Sequence, residues 1–136
     1  MQIDLSSLGG SLLLSGRQPY HAVVSAEFQR AAGNHKELLK RLEVLRDRIC
    51  QAPYAPQSEL LGRGKKVDLR GKRSWHMTGN FVVIYAVCEE RVQQGFLQKR
   101  WNSCAGICDA EPQKRVVFLG FGKHDLAYGR DWQFRP

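Results

Sequence analysis

The 136-residue sequence predicts an α+β fold, in the order strand, helix, helix and then a three- or four-stranded antiparallel meander. Apolar residues recur from Leu38 to Ile49 at offsets of four, three and four, which marks one face of a helix. The segment APYAP (52–56) ends that pattern, because proline lacks an amide donor and restrains the residue before it. Two later apolar runs, FVVIYAV (81–87) and RVVFLGF (115–121), have the length and composition of strands.

The first half of the chain supplies one strand and two helices. YHAVV (20–24) predicts a short strand, and Ser25 is a good N-cap for a brief helix that runs through Ala32 and is stopped by Gly33. Asn34 follows at once, and with Glu37 three residues later it forms an asparagine version of the capping box. We therefore expect the second helix to begin there and to turn a mostly basic face to solvent.

Strand patterns fill the second half. Val67 and Leu69 alternate with polar neighbours, and residues 74–77 predict a further short strand. TGN (78–80) is a turn signal before the strand at 81–87. The polar, irregular stretch 89–114 is too long for an ordinary hairpin loop, so we interpret it as an insertion between the last two strands.

The length predicts a single domain over residues 1–136, with residues 1–18 as an N-terminal extension. No apolar run approaches the roughly 18 residues that cross a bilayer, and the N-terminus lacks the basic start of a secretory signal. Four cysteines without an export signal indicate reduced thiols. These features predict a soluble protein in the cytoplasm, with no membrane partner.

The charge balance indicates a polyanionic partner. Lys and Arg total 21 against 13 Asp and Glu, which gives a net charge of +8 and a pI near 9.6. A nucleic acid or an acidic protein would suit this surplus. The alternative is that the charge only keeps the chain soluble, but the cations are clustered rather than scattered.

A histidine and a cation lie near one end of each of two strands, which suits a site for handling a phosphodiester. Cleaving RNA without a metal needs a base for the 2′-hydroxyl, cations for the phosphorane and an acid for the leaving oxygen. His76 and His124 are the candidate base and acid, Arg73 the candidate phosphate ligand, and Tyr128 a group that stacks on a base or orients the phosphate. The other candidate phosphate-binding cations are Arg63, Lys65, Lys66, Arg70, Lys72 and Lys123.

Each candidate also has a purely structural interpretation. His76 fits an exposed strand position, His124 fits a turn-stabilising role beside Asp125, and Tyr128 fits the edge of the core. Trp75 and Trp101 could stack on bases, although aromatic residues in small domains more often belong to the core or to partner contacts.

Cysteines bracket the insertion and raise the question of zinc. Cys88, Cys104 and Cys108 are three thiols, one fewer than the four ligands of a closed structural site. Asp109 or Cys50 completes a site only if the fold brings it close. We therefore predict no metal or other cofactor and leave a zinc site as the alternative.

Four segments together resemble the RelE/ParE superfamily of bacterial toxins, and more particularly its RelE-like ribonuclease branch. They are YHAVVSAEFQRA (20–31), the helix with APYAP (52–56), LRGKRSWHMTGNFVVIYAV (69–87) and FLGFGKHDLAY (118–128). The resemblance implies a β-α-α-β-β-β order, with two helices on one face of a twisted antiparallel sheet and a basic concave surface on the other. It also implies a growth-inhibiting mRNA interferase that acts in the ribosomal A site and is neutralised by a cognate antitoxin.

The chain departs from these relatives at two positions. Val82 stands where RelE-like ribonucleases commonly have an arginine, and His124 stands where a terminal FGKR-like motif has one. Arg73 and Tyr128 fall where relatives keep a basic residue and a tyrosine. The sequence therefore predicts a metal-independent endoribonuclease toxin, with two alternatives: a ParE-like toxin that binds gyrase, or a weakened RelE homologue that survives as a binding module. We also expect a sheet edge to pair in a homo-oligomer or with the antitoxin.

Overall fold

The computed structural model describes residues 19–62, 67–77, 79–95, 114–130 and Trp132. Within them the α+β class is confirmed. The elements in chain order are β1 His21–Val24, α1 Ala26–Asn34, a 3₁₀ turn Lys36–Leu38, α2 Leu39–Gln51, β2 Ser58–Leu60, β3 Arg73–His76, β4 Phe81–Val87, α3 Cys88–Gln93, β5 Arg115–Lys123 and α4 His124–Ala127.

The strands form one five-stranded sheet in the order β1-β5-β4-β3-β2. The predicted wholly antiparallel sheet is wrong in one respect, because β1 pairs with β5 in parallel, with His21 opposite Arg115 and Val24 opposite Phe118. The sheet is therefore mixed. A parallel pair needs no hairpin between its members, and here the whole chain from α1 to α3 separates the two strands in sequence. The remaining pairs are antiparallel.

One face of the sheet packs against α1 and α2. The predicted apolar stripe is confirmed: Leu38, Leu42, Leu45 and Ile49 are all buried in a core with the β4 and β5 side chains of that face. Ser25 caps α1 as predicted, since its hydroxyl accepts a hydrogen bond from the Phe28 amide (3.0 Å). The hydroxyl also donates to a carbonyl of β5 at 2.9 Å, so it ties the start of α1 to the sheet.

The connection between the helices differs from the prediction. Asn34 is the last residue of α1 instead of a cap, and α2 starts only after the 3₁₀ turn. The Glu37 carboxylate contacts the His35 ring nitrogen (3.4 Å), so Asn34 and Glu37 do not form the predicted capping box. The basic face of α2 is also less open than expected, because Arg46 and Asp47 are buried and paired with each other (2.8 Å).

The opposite face of the sheet is covered by the C-terminal part of the described chain. A second apolar cluster contains residues of β4 and β5 together with Ala127 and Trp132. Trp132 packs over Gly120 so closely that a Cβ at that position would overlap the indole ring. The middle of this face is therefore an apolar core, whereas the resemblance implied an open basic hollow there.

The structure of two further segments differs from the sequence prediction. The short strand β2 pairs with β3, with Ser58 opposite Trp75, but it was not predicted. The alternating pattern at 67–69 forms only a bridge at Asp68. The proposed extension 1–18 and most of the proposed insertion 89–114 lie outside the described residues. No helix in the described ranges has the length and apolar character that crossing a bilayer requires.

Candidate functional site

Three of the four predicted catalytic side chains meet at one end of the sheet. The ring centroids of His76 and His124 are 5.4 Å apart, and the Tyr128 ring lies 4.7 Å from His124 and 6.5 Å from His76. His76 is exposed, whereas His124 and Tyr128 are half-buried. We call His76, His124 and Tyr128 the histidine cluster.

The local structure explains this convergence. His76 ends β3 and lies opposite Val82 of β4, which lies opposite Gly122 of β5. His124 directly follows β5, and its amide donates to the Asn80 carbonyl (2.7 Å) in the β3–β4 turn. The ends of β3 and β5 are therefore held on either side of β4, each with its imidazole.

The helix α4 places the tyrosine. Tyr128 follows His124 by four residues, and its amide donates to the His124 carbonyl at 3.2 Å, so the two side chains share one face of a helical turn. The Tyr128 hydroxyl shares a hydrogen bond with Ser74 Oγ (2.8 Å). Burial raises the pKa of Tyr128 despite this bond, so the group is a neutral phenol near pH 7 and keeps a proton to donate.

Arg73 does not join the histidine cluster. Successive strand residues point to opposite faces, and Arg73 lies opposite Tyr85, whose side chain belongs to the helix-side core. Its guanidinium donates to Glu90 through Nε (2.9 and 3.1 Å) and Nη2 (2.7 Å), and through Nη1 to Ser58 (3.1 Å). It also lies over the Tyr54 ring at 4.8 Å. Arg73 is therefore held in an ion pair with Glu90 on the helix side of the sheet. The histidine cluster lies on the other side, so Arg73 cannot serve there as the predicted phosphate ligand.

The other predicted cations have varied positions. Arg70 pairs with Asp68 (2.7 Å) and is partly exposed. Lys72 is almost completely buried, at 1% exposure, so its ammonium cannot meet a polyanion at the surface. Lys123 is exposed at the end of β5, next to His124. The predicted cations Arg63, Lys65 and Lys66 lie outside the described residues.

The two cysteines that the structure describes, Cys50 and Cys88, give no support to a zinc site. Cys50 lies in the helix-side core and Cys88 in the cluster on the other face of the sheet, so they cannot share a metal without rearrangement. Burial raises the pKa of Cys50 to about 12, which keeps it a thiol. Cys104, Cys108 and Asp109 lie outside the described residues. Across the described ranges, no group of three or more His, Cys, Asp or Glu side chains is arranged to bind a metal.

The structure adds Ser74, which the sequence analysis missed, and shows the contact of Asp125 with His124. Ser74 bonds Tyr128, and the Asp125 carboxylate lies 3.1 Å from His124 Nδ1. Ser74 is two residues from His76 on the same strand, which places both on one face of the sheet. That spacing could have identified Ser74 from the sequence. The Asp125 contact can fix which His124 nitrogen faces outward, although Asp125 itself is exposed.

In chemical terms, the histidine cluster offers two imidazoles and one phenol around a partly open position. The centroids of the two imidazole rings are 5.4 Å apart, so both rings can approach one small group that carries several oxygens. The arrangement suits transfer of protons to and from neighbouring oxygens. Comparison with protein-family models, with curated proteins and with solved structures finds no match.

Proposed function

We propose that the protein is a metal-independent endoribonuclease of the RelE-like kind, and that the histidine cluster is its active site. The observation that carries the proposal is the approach of the His76 and His124 ring centroids to 5.4 Å, where β3 and β5 end on either side of β4. Two imidazoles at this distance can divide the roles of base and acid around one phosphodiester. The net charge of +8 supports a polyanionic substrate.

In the proposed reaction, a neutral imidazole takes the proton of the ribose 2′-hydroxyl. The 2′-oxygen then attacks the adjacent phosphorus, and a 2′,3′-cyclic phosphate forms as the bond to the 5′-oxygen breaks. The second imidazole, protonated, gives its proton to that leaving oxygen, so the protons balance without a metal. The Tyr128 phenol donates a hydrogen bond to the phosphate, while Ser74 holds the phenol in place.

The biological role that we propose follows the resemblance. The protein would act in the cytoplasm as the toxin of a toxin-antitoxin pair, cut mRNA on the ribosome and so arrest growth. A cognate antitoxin would neutralise it by binding its basic surface or a sheet edge.

A non-catalytic binding module, including a ParE-like toxin that binds gyrase, is the second candidate. Two observations favour it: Val82 is completely buried where relatives have an arginine, and Arg73 is occupied by Glu90. The site therefore lacks the two strand arginines that the resemblance implied. The cation that stabilises the phosphorane must come from elsewhere, and Lys123 is the nearest candidate in sequence.

Induction of the chain in bacteria tests the proposal directly. Primer extension of cellular mRNA should reveal new 5′ ends in translated regions together with growth arrest. His76→Ala and His124→Ala should each remove the new ends, because general acid-base catalysis contributes roughly 10²- to 10⁴-fold. Lys36→Ala, at an exposed position in the turn before α2, is the matched control and should leave cleavage unchanged.

The result that contradicts the ribonuclease is growth arrest with intact mRNA. If DNA gyrase were then found trapped on DNA, the ParE-like candidate would replace it. Cleavage that persisted in both histidine variants at equal protein levels would instead reject the histidine cluster as the active site.

A further inference from the structure

A small groove lies between α2 and the end of β3, next to the histidine cluster. Its volume is about 180 Å³. The residues that line it are Arg41, Val44, Leu45, Arg48, Trp75, His76 and Met77. We call it the α2 groove.

The two arginines of the α2 groove are available for a ligand. Both are exposed, and no carboxylate in the described ranges pairs with either guanidinium. Other arginines are neutralised by carboxylates: Arg46 by Asp47, Arg70 by Asp68, Arg73 by Glu90 and Arg130 by Glu27. The positive charge beside His76 is therefore uncompensated within the described chain.

The position of His76 links the groove to the histidine cluster. The pairing of β3 with β2 ends at Trp75, opposite Ser58, so His76 lies beyond the covered edge of the strand. Its ring approaches His124 and Tyr128, and the same residue also lines the α2 groove. A chain that passes over the imidazoles and round the unpaired edge of β3 at His76 would reach the groove that Arg41 and Arg48 line.

We propose that the α2 groove binds the backbone phosphates of single-stranded RNA next to the scissile bond. The inference rests on the proposed ribonuclease function and adds cations for the phosphates that flank the scissile bond. Guanidinium groups present paired donors that match phosphate oxygens. Arg41 and Arg48 are seven residues apart, about 10 Å along the helix axis, so they contact separate phosphates of an extended strand.

Binding to RNA that cannot be cleaved tests this step separately from catalysis. The 136-residue protein would be titrated into a fluorescent oligoribonucleotide with 2′-O-methyl groups throughout, at several salt concentrations. Each phosphate contact on a single strand contributes about 0.7 to the slope of log affinity against log salt. Arg41→Gln with Arg48→Gln should therefore lower the slope by about 1.4. If the variant and the wild type bind equally at 1 M salt, the variant binds about 25-fold more weakly than the wild type at 0.1 M salt.

Lys36→Gln with Lys40→Gln is the matched control. It removes the same charge from exposed positions of the turn and α2 that do not line the groove. The proposal expects a much smaller loss from this pair. Equal losses from both pairs would mean that only overall charge matters, and would overturn the α2 groove as a site.

The remaining outcomes separate the two proposals. Wild-type protein that cleaves ordinary RNA, with unchanged binding in the Arg41/Arg48 variant, overturns the groove and keeps the ribonuclease. Wild-type protein that neither binds nor cleaves RNA overturns both. If the variant kept RNA binding but lost binding of polyglutamate, the groove would belong to an acidic protein partner and our inference would be wrong.

Discussion

Replacement of Arg73 should destabilise the protein, because this arginine is part of the fold and not of the phosphate site. Its side chain is 13% exposed and that of Glu90 11%. Three hydrogen bonds join the two groups. Burial lowers the pKa of Arg73, but the bonds to Glu90 outweigh this effect and the pKa is raised overall. The guanidinium therefore stays charged, and its removal leaves a carboxylate that is buried without its partner.

The expected magnitude follows from that burial. Arg73→Met should cost about 3–5 kcal/mol of unfolding free energy, since breaking one side of a buried ion pair leaves an uncompensated charge. Glu90→Met should cost a similar amount. The double variant should cost much less than the sum, because two apolar side chains of similar length can fill the space without a stranded charge. Urea denaturation followed by fluorescence, with constant slopes across the variants, measures all three changes.

Two results would refute this reasoning. One is an Arg73→Met variant within about 0.5 kcal/mol of wild type, the usual range for an unimportant surface substitution. The other is simple additivity of the single variants, which would mean that the two groups do not interact. A fully stable Arg73→Met variant without RNA cleavage would return Arg73 to the active site.

Three further predictions concern the fold. Gly120→Ala should lower the free energy of unfolding by about 1–3 kcal/mol, because the new methyl group overlaps the Trp132 ring. Gly122→Ala is the control: a Cβ there meets nothing within 4 Å, so the free energy of unfolding should change by less than about 0.5 kcal/mol. Tyr85 has its pKa raised to about 12, first of all by burial. The neutral Tyr85 phenol should therefore make its full contribution to the free energy of unfolding below about pH 10, and about 3 kcal/mol of it should be lost between pH 10 and pH 12. Denaturation at stepped alkaline pH should show a smaller fall in the free energy of unfolding for Tyr85→Phe than for wild type. Ser25→Ala should cost about 1–2 kcal/mol, since it removes a helix cap and a buried bond to β5; equal melting of variant and wild type would contradict this.

Periodic patterns in the sequence predicted the parts of the fold that rest on local physics. The apolar stripe of α2 and the strand β4 were found at or near the expected residues, because burial on one face imposes a period that the sequence displays. The strand β2 has only three residues, Ser58–Leu60, and no alternation to recognise. The parallel pairing of β1 with β5 depends on contacts distant in sequence, which no local pattern encodes.

In the candidate site, too, one part could be predicted from the sequence and another could not. The approach of His76 to His124 was anticipated because His76 precedes one strong strand and His124 follows the other, and such strand ends lie together in an antiparallel pair. Arg73 was misplaced, although its spacing of three residues from His76 already puts the two on opposite faces of β3. Its partner Glu90 lies 17 residues away in α3, and only the folded chain reveals that contact.

The most direct test of the histidine cluster is cleavage of a labelled oligoribonucleotide by the purified protein, alone in the presence of EDTA and with ribosomes in a Mg²⁺ buffer. We predict products that end in a 2′,3′-cyclic phosphate, and no cleavage when the nucleotide 5′ of the cut carries 2′-deoxyribose. His76→Ala and His124→Ala should each lower the rate at least about 100-fold while remaining folded. Equal cleavage of the deoxy-substituted strand, or full activity in either histidine variant, would contradict the proposed site.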